Sequence, residues 1–327
     1  MKFLIIRFSS IGDIVLTSPV IRCLKKQLPD SSIHFLTKIQ FKEILVSNPY
    51  IDKVQVLAHS WELMMEELKT EDYDYIIDLH HNLRTLRVKK SLAIKSFSFP
   101  KLNVQKYLLT AFKINFLPSV SIVERYMKTV VSFGVKNDGL GLDYFIPKKE
   151  ETKQQDIPAS HSAGYIACVI GAALGTKKWP IHKWKNFCTI IDHPIVLIGG
   201  KEDMDAAKEI VSVDPVKVYN ACGKFSINES ADLIRKSKFV ISNDTGMMHI
   251  AAAFQKEIIS LWGNTIPAFG MQPYYGNRKV KSVILETKKL WCRPCSKIGY
   301  KKCPLGHFKC MEKISVDSLL HEAKQRM

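Results

Sequence analysis

The stretch Phe239-Val240-Ile241-Ser242-Asn243-Asp244-Thr245-Gly246-Met247-Met248-His249-Ile250-Ala251-Ala252-Ala253 joins a short β-rich run to a helical pattern through a tight polar turn. Phe239 to Ser242 has the length and composition of a buried strand, and Met248 to Phe254 continues as a small-residue helix. Asp244 or Thr245 can cap that helix, and Gly246 lets a ligand approach the backbone. The free N–H groups at a helix start suit an anion such as a pyrophosphate, and His249, one turn on, adds a ring nitrogen. The plainer reading is a well-capped helix and nothing more. A strand that ends in such a turn belongs to an open α/β sheet, whose ligands lie beyond the carboxyl ends of the strands.

The same alternation extends in both directions. Tyr165 to Ile170, Ile195 to Ile198, Val216 to Tyr219 and Ile258 to Leu261 read as strands, with helices at His182 to Ile190, Met204 to Val211 and Glu229 to Lys236. In the first half, strands at Phe3 to Arg7, Ser32 to Leu36, Lys53 to Leu57 and Tyr75 to Leu79 alternate with helical patterns at Ile14 to Gln27, Phe41 to Ser47 and Trp61 to Leu68. Between the halves, Pro147 to Ala163 is rich in Lys, Glu, Gln, Ser and Pro without apolar periodicity, as expected of a linker. The expected organisation is a Rossmann-like α/β domain over 1–150, a linker over 151–163 and a second such domain over 164–327, with two parallel sheets facing across a cleft.

Three further turns follow predicted strands. Gly171-Ala172-Ala173-Leu174-Gly175-Thr176-Lys177-Lys178-Trp179-Pro180 combines small residues with two lysines able to neutralise phosphate. It is not a Walker A loop, and no G-x-G-x-x-G occurs, so kinase-like and dinucleotide-binding readings lose ground. Ser9-Ser10-Ile11-Gly12-Asp13 puts a carboxylate at a helix start, where it serves equally as a proton acceptor or as a cap. In Gly199-Gly200-Lys201-Glu202-Asp203 an acidic side chain either binds a ribose or sugar hydroxyl or closes a tight turn, and turn chemistry favours the second.

With 327 residues, 46% of them hydrophobic, the chain can bury two cores. Its opening is too briefly apolar for a signal peptide, and no run approaches the length of a bilayer span. The net charge of +17 calls for an anionic partner: nucleic acid, a membrane surface or a phosphorylated substrate. From Leu79 to Val123 there is no acidic residue, while Arg84, Arg87, Lys89, Lys90, Lys95, Lys101, Lys106 and Lys113 fall there, a local basic face or a solvated surface. Cys23, Cys168, Cys188 and Cys222 are scattered like reduced core thiols of a cytosolic protein. Cys292, Cys295, Cys303 and Cys310 cluster in the tail with His307 among them. One Cys-x-x-Cys knuckle with two spaced cysteines offers a structural zinc site as one reading, metal-free packing or a disulfide as the other.

Taken together, Gly12-Asp13-Ile14-Val15-Leu16-Thr17-Ser18-Pro19, Asp78-Leu79-His80-His81-Asn82-Leu83-Arg84, Thr176-Lys177-Lys178-Trp179-Pro180, Gly199-Gly200 and Asn243-Asp244-Thr245-Gly246 with His249 resemble glycosyltransferase family nine, the bacterial ADP-heptose:lipopolysaccharide heptosyltransferases. These pieces span nearly the whole chain in the family's order. The resemblance implies a GT-B fold and an inverting transfer of heptose from ADP-heptose to a phosphorylated inner-core acceptor, with no cofactor. It makes Asp13 the general base, gives Lys177, Thr245 and Gly246 the pyrophosphate, and puts Asp244 and His249 near the donor sugar. Thr176, Lys178, Asp203 and Met247 complete the donor side, and Ser10, Gly12, His80, Asn82, Arg84 and Arg125 the acceptor side. It further implies a cytoplasmic protein, peripheral on the anionic inner leaflet, with no nucleic-acid partner. Two departures stand out: His80-His81 occupies a place where glycine is usual, and Lys178 leaves the phosphate contact open by one residue. Near Gly200, the residues Glu202, Asp203 and Asp205 compete for the nucleotide. The rival readings are a GT-B transferase or epimerase for another nucleotide sugar and a non-catalytic nucleotide- or nucleic-acid-binding protein.

Overall fold

The computed structural model describes residues 1–57 and 60–327. The chain divides into two compact units, Met1–Leu102 with Val120–Phe145 and Tyr274–Arg278, and Asn103–Ser119 with Ile146–Pro273 and Lys279–Met327. Each unit is therefore discontinuous, unlike the linear division expected from the sequence. The 103–119 segment packs with the second unit, and 274–278 with the first.

The first unit is a parallel sheet of β1 (Lys2–Ile6), β2 (Ser32–Lys38), β3 (Lys53–Leu57), β4 (Tyr75–Asp78) and β5 (Ser96–Ser98), in the order β3-β2-β1-β4-β5. Central strands buried on both faces read as unbroken apolar runs. Phe3, Leu4, Ile5 and Ile6 of β1 are accordingly wholly inaccessible. The chain winds away from β1 in one direction through β2 and β3, then crosses to β4 on its other side. The strand order reverses there, and a crevice for ligands opens at the carboxyl ends of β1 and β4. The unit is closed by Arg22, from the helix Ser18–Gln27. Its buried guanidinium donates to both carboxylate oxygens of Asp138, at 2.7 and 2.8 Å, and pairs with Asp143.

The second unit repeats the plan with β6 (Ile166–Val169), β7 (Ile195–Ile198), β8 (Val218–Asn220), β9 (Val240–Asn243), β10 (Ile258–Trp262) and β11 (Ser282–Glu286), ordered β11-β10-β9-β6-β7-β8 and parallel throughout. Its reversal lies between β6 and β9. Asn243, wholly buried at the end of β9, binds the two edges of that crevice together. Its amide Nδ2 donates to the Ile170 carbonyl at 2.9 Å and to the Val169 carbonyl at 3.3 Å, and its Oδ1 accepts from Trp179 N–H at 3.1 Å. Beneath, Trp179 and Trp184 meet edge to face at 5.1 Å within an aromatic and aliphatic core.

Most elements fall within a residue or two of their expected positions; the exceptions have local causes. Phe41 to Ser47, expected to be helical, is instead covered in part by a 3-10 turn over Ile39–Ile44, of which only Ile44 is buried. The helix expected over 14–27 is two helices, Ile11–Val15 and Ser18–Gln27, separated where Pro19 must enter a first turn. The expected linker holds 3-10 turns at Gln154–Asp156 and Ala159–His161, and is tied down where Thr152 N–H and hydroxyl each donate to Asp232 at 2.7 Å.

Candidate functional site

In the first unit the reversal point collects the residues expected on the acceptor side. Asp13 sits in the first turn of the helix Ile11–Val15, its side chain one-fifth exposed. Its Oδ2 accepts from the Ser10 hydroxyl at 2.8 Å and from Ser10 N–H at 3.2 Å, so the capping role is real. Its Oδ1 faces the Arg7 guanidinium at 2.6 Å, a contact that a cap does not need. Arg7 is fixed in turn by the Ser9 carbonyl at 2.7 Å and the Leu79 carbonyl at 2.5 Å, which tie β1's end to β4's. Burial alone would push the Asp13 carboxyl up. The Arg7 charge and the Ser10 hydrogen bonds outweigh it and hold the group below the usual carboxylate range, ionised at neutral pH.

Around this pair the β4 turn supplies the rest. Asp78, wholly buried, accepts from the N–H groups of His80 and His81 at 3.1 and 2.6 Å and pairs with Lys89 at 2.9 Å. The His80 ring packs on Phe8 at 5.1 Å, and burial, aided by the charges of Arg7 and Lys101, pushes it down to about 4, so it is neutral at pH 7. Asn82 is the N-cap of the helix Leu83–Leu92, accepting from Thr85 N–H at 2.9 Å. Arg84 is exposed with its guanidinium 5.9 Å from the Phe8 ring, while Arg125 is buried, which pushes its guanidinium down. Gly12 is buried in the helix beside Asp13. Two members were not singled out in the sequence: Arg7 and Tyr126. Tyr126 is buried with its ring 6.0 Å from Arg7, and its hydroxyl has no hydrogen-bond partner among the described residues. An arginine closing an otherwise apolar strand six positions before the carboxylate was the available signal for the first. Nothing in the local pattern marks Tyr126.

The second unit's reversal point gathers the expected donor residues from three loops. Lys177 Nζ lies 2.7 Å from Asp244 Oδ2, which also accepts from the Thr265 hydroxyl at 2.7 Å. With its carboxylate so engaged, Asp244 does not cap the helix Gly246–Ala253. Thr245 is at the N-cap position but makes no side-chain cap hydrogen bond. Thr245 and Gly246 are partly exposed there, whereas Met247 and His249 are buried in the first turns. Lys178 Nζ pairs with Asp203 Oδ1 at 2.5 Å, and Asp203 Oδ2 accepts from Gly200 N–H at 3.0 Å. Asp203 is thus a buried turn-closing carboxylate, while Glu202 and Asp205 beside it are exposed. Thr176 is clamped by the tail: its N–H donates to the Tyr300 carbonyl at 3.1 Å, and its hydroxyl accepts from Tyr300 N–H at 2.8 Å.

The tail cysteines Cys292, Cys295, Cys303 and Cys310 line one cavity with His307 and Arg293, and all are free thiols. Cys292 Sγ and His307 Nε2 are 3.8 Å apart. Burial and the neighbouring cysteines push the Cys310 thiol up to about 11. Among the described residues, no group of three or more His, Cys, Asp and Glu side chains is placed to hold a metal ion.

The sequence profile of glycosyltransferase family 9 (heptosyltransferase) matches residues 61–303, a span that takes in the turns around Asp78, Lys177 and Asp244. The chain belongs to glycosyltransferase family 9. It is accordingly a glycosyltransferase, and its two Rossmann-like units are those of the GT-B fold. Among curated relatives, it is 26% identical to lipopolysaccharide heptosyltransferase 1 of Campylobacter coli over 81% of this chain and 84% of that one. It is also 26% identical to lipooligosaccharide heptosyltransferase 2 of Haemophilus ducreyi, over 82% and 85% of the two chains. In solved structures, the fold matches a family 9 glycosyltransferase from Veillonella parvula with TM-score 0.78 at 22% identity, covering 99% and 96% of the two chains. It matches the Escherichia coli ADP-heptose lipopolysaccharide heptosyltransferase II with TM-score 0.77 at 20% identity, covering 99% and 98%.

Proposed function

We propose that this family 9 enzyme moves a heptose from ADP-heptose to a phosphorylated inner-core acceptor of lipopolysaccharide, with inversion at the anomeric carbon. The relatives' named activities supply the substrates. The arrangement that supports the chemistry is the Asp13 carboxylate, held ionised by Arg7 at the carboxyl end of β1. The acceptor hydroxyl oxygen attacks the anomeric carbon as the bond from that carbon to the β-phosphate oxygen breaks. ADP leaves with the electron pair, and the hydroxyl proton passes to Asp13. Ser10 and Gly12 shape the turn that holds the base. His80, Asn82, Arg84 and Arg125 lie on the acceptor side.

On the donor side Lys177 and the uncapped helix start at Thr245 and Gly246 receive the pyrophosphate and stabilise the charge that develops as ADP departs, so no metal is required. Asp244 holds Lys177 in readiness, and donor binding exchanges that carboxylate for a phosphate oxygen. Met247 and His249 flank the donor, and Thr176 and Lys178 frame the same loop. Asp203 acts by fixing the Gly200 turn, with the exposed Glu202 and Asp205 nearest for nucleotide hydroxyls. The protein works at the cytoplasmic face of an anionic membrane.

Calorimetric titration with ADP, UDP and GDP tests the donor half. Selective ADP binding, weakened about tenfold or more in Lys177→Ala, is expected for loss of a charge-assisted phosphate contact. Selective UDP or GDP binding would assign a different donor, and absence of nucleotide binding would remove the reading.

A further inference from the structure

The second unit exposes a hydrophobic surface that its nucleotide chemistry does not use. In the helix Asn103–Phe112 and the segment after it, Val104, Tyr107, Phe112, Ile114 and Phe116 are between 47% and 68% exposed. Every residue from Ala111 to Phe116 is exposed, three of them large and apolar. The tail contributes a second group: Trp291 at 73% exposed, with Ile298, Tyr300 and Leu305. The two groups adjoin, because Lys113 Nζ donates to the Pro294 carbonyl at 2.7 Å and its charge acts on the Cys295 thiol. These two short segments carry nearly half of the large exposed hydrophobic side chains among the described residues.

Their charge is uniform. Lys106 and Lys113 fall in 103–119, and 287–311 adds Lys288, Lys289, Lys297, Lys301, Lys302 and Lys309, with no Asp or Glu in either stretch; the side chain of Arg293, also there, is buried and paired with Glu286 at 2.6 Å. The basic run read along 84–113 is, by contrast, divided between the units, and its first part is engaged locally. Lys89 is paired with Asp78 at 2.9 Å, and Arg87 lies 4.1 Å from the Trp61 ring.

We propose that the 103–119 segment and the 288–305 loop together form the surface by which the enzyme rests on an anionic phospholipid bilayer. Phe112, Ile114, Phe116 and Trp291 enter the headgroup and acyl boundary, and the lysines meet lipid phosphates. Aromatic and aliphatic side chains interleaved with lysines and free of carboxylates match that interface, where an apolar body and a cationic tip are both satisfied. A nucleic acid would leave the aliphatic residues unused, and a second copy of the chain would place lysines against lysines. The proposal deepens the membrane reading above and is independent of which sugar is transferred.

Vesicle co-sedimentation of the full chain tests it, using phosphatidylcholine vesicles with and without phosphatidylglycerol. The protein is expected to pellet with phosphatidylglycerol vesicles, less so as salt is raised. The triple variant Phe112→Ser, Ile114→Ser, Phe116→Ser is expected to lose about tenfold or more in partitioning, because reversible attachment needs both apolar burial and charge. The variant Lys297→Glu, Lys301→Glu, Lys302→Glu should lose binding to the anionic vesicles alone, a second readout should the first variant fold poorly. Wild-type protein that stays in the supernatant with anionic vesicles overturns the proposal, as does a triple variant with native melting that pellets like wild type. A dimer in sedimentation velocity that the triple variant abolishes, without vesicle binding, also overturns it. Transfer to a delipidated, water-soluble acceptor should be unchanged in the triple variant. Loss of transfer in every form with vesicle binding intact would count against the sugar-transfer reading alone.

Discussion

Asp13 shows how one side chain satisfies two readings that its sequence position leaves equal. Its Ser10 contacts are those of a cap, and its Arg7 contact at 2.6 Å is the addition that keeps it ionised. Arg7→Met removes the cation while burial remains, so the Asp13 carboxyl rises. The acid limb of the transfer rate against pH should move upward by about one unit or more, the scale expected for losing an adjacent opposite charge. An acid limb that stays in place in this variant would show that another group carries the proton. What the sequence disclosed here was the acidic residue and its turn. The partner was hidden because contact between the end of β1 and its own return turn depends on how residues 7–13 fold back, which spacing alone does not fix.

At the scale of elements, the candidate turns behind β1, β6 and β9 lie at the two reversal points, β1 with β4 and β6 with β9, whereas the turn over 199–203 follows β7, one strand away. The short apolar runs of these strands and the polar turns behind them were legible because parallel strands buried on both faces have little other option. Three elements absent from the sequence expectation lack such a signature. β5 and β11 contain no wholly buried residue, and the helix Asn103–Phe112 buries only Leu109. Asn243 also lay inside a recognised turn without revealing that it stitches β6 to β9. Asn243→Ala would leave the buried Trp179 N–H and the Ile170 carbonyl without that partner, so unfolding in denaturant should show a loss of about 2–4 kcal/mol. A loss within about 0.5 kcal/mol, the usual range for a surface change, would mean the crevice holds without it.

At the scale of the whole molecule, four histidines among the described residues, His34, His80, His161 and His193, are each pushed below the ordinary imidazole range by burial. Folded protein therefore binds fewer protons at these sites than unfolded chain, whose histidines titrate near about 6.5. Stability is full above that pH and falls as pH drops below it, for His80 continuing down to about 4. The melting temperature should decline by several degrees between about pH 7 and pH 5, a larger fall than exposed histidines would cause. His161→Gln should flatten the slope; a melting temperature independent of pH across this window would contradict the assignment. The division into two α/β units was visible in the repeated alternation. That 103–119 joins the second unit and 274–278 the first was not, since long-range packing of short segments leaves no periodic trace.

The most direct test is single-turnover transfer with ADP-heptose and a phosphorylated inner-core acceptor, comparing wild type with Asp13→Asn by mass spectrometry while ADP affinity is measured alongside. Wild type should convert the acceptor to a product heavier by one heptose. Asp13→Asn, which keeps the shape and loses the charge, should slow transfer by about 10²–10⁴-fold with ADP binding intact. Transfer that survives Asp13→Asn at an undiminished rate, or a wild type that transfers only from another nucleotide sugar, would contradict this account.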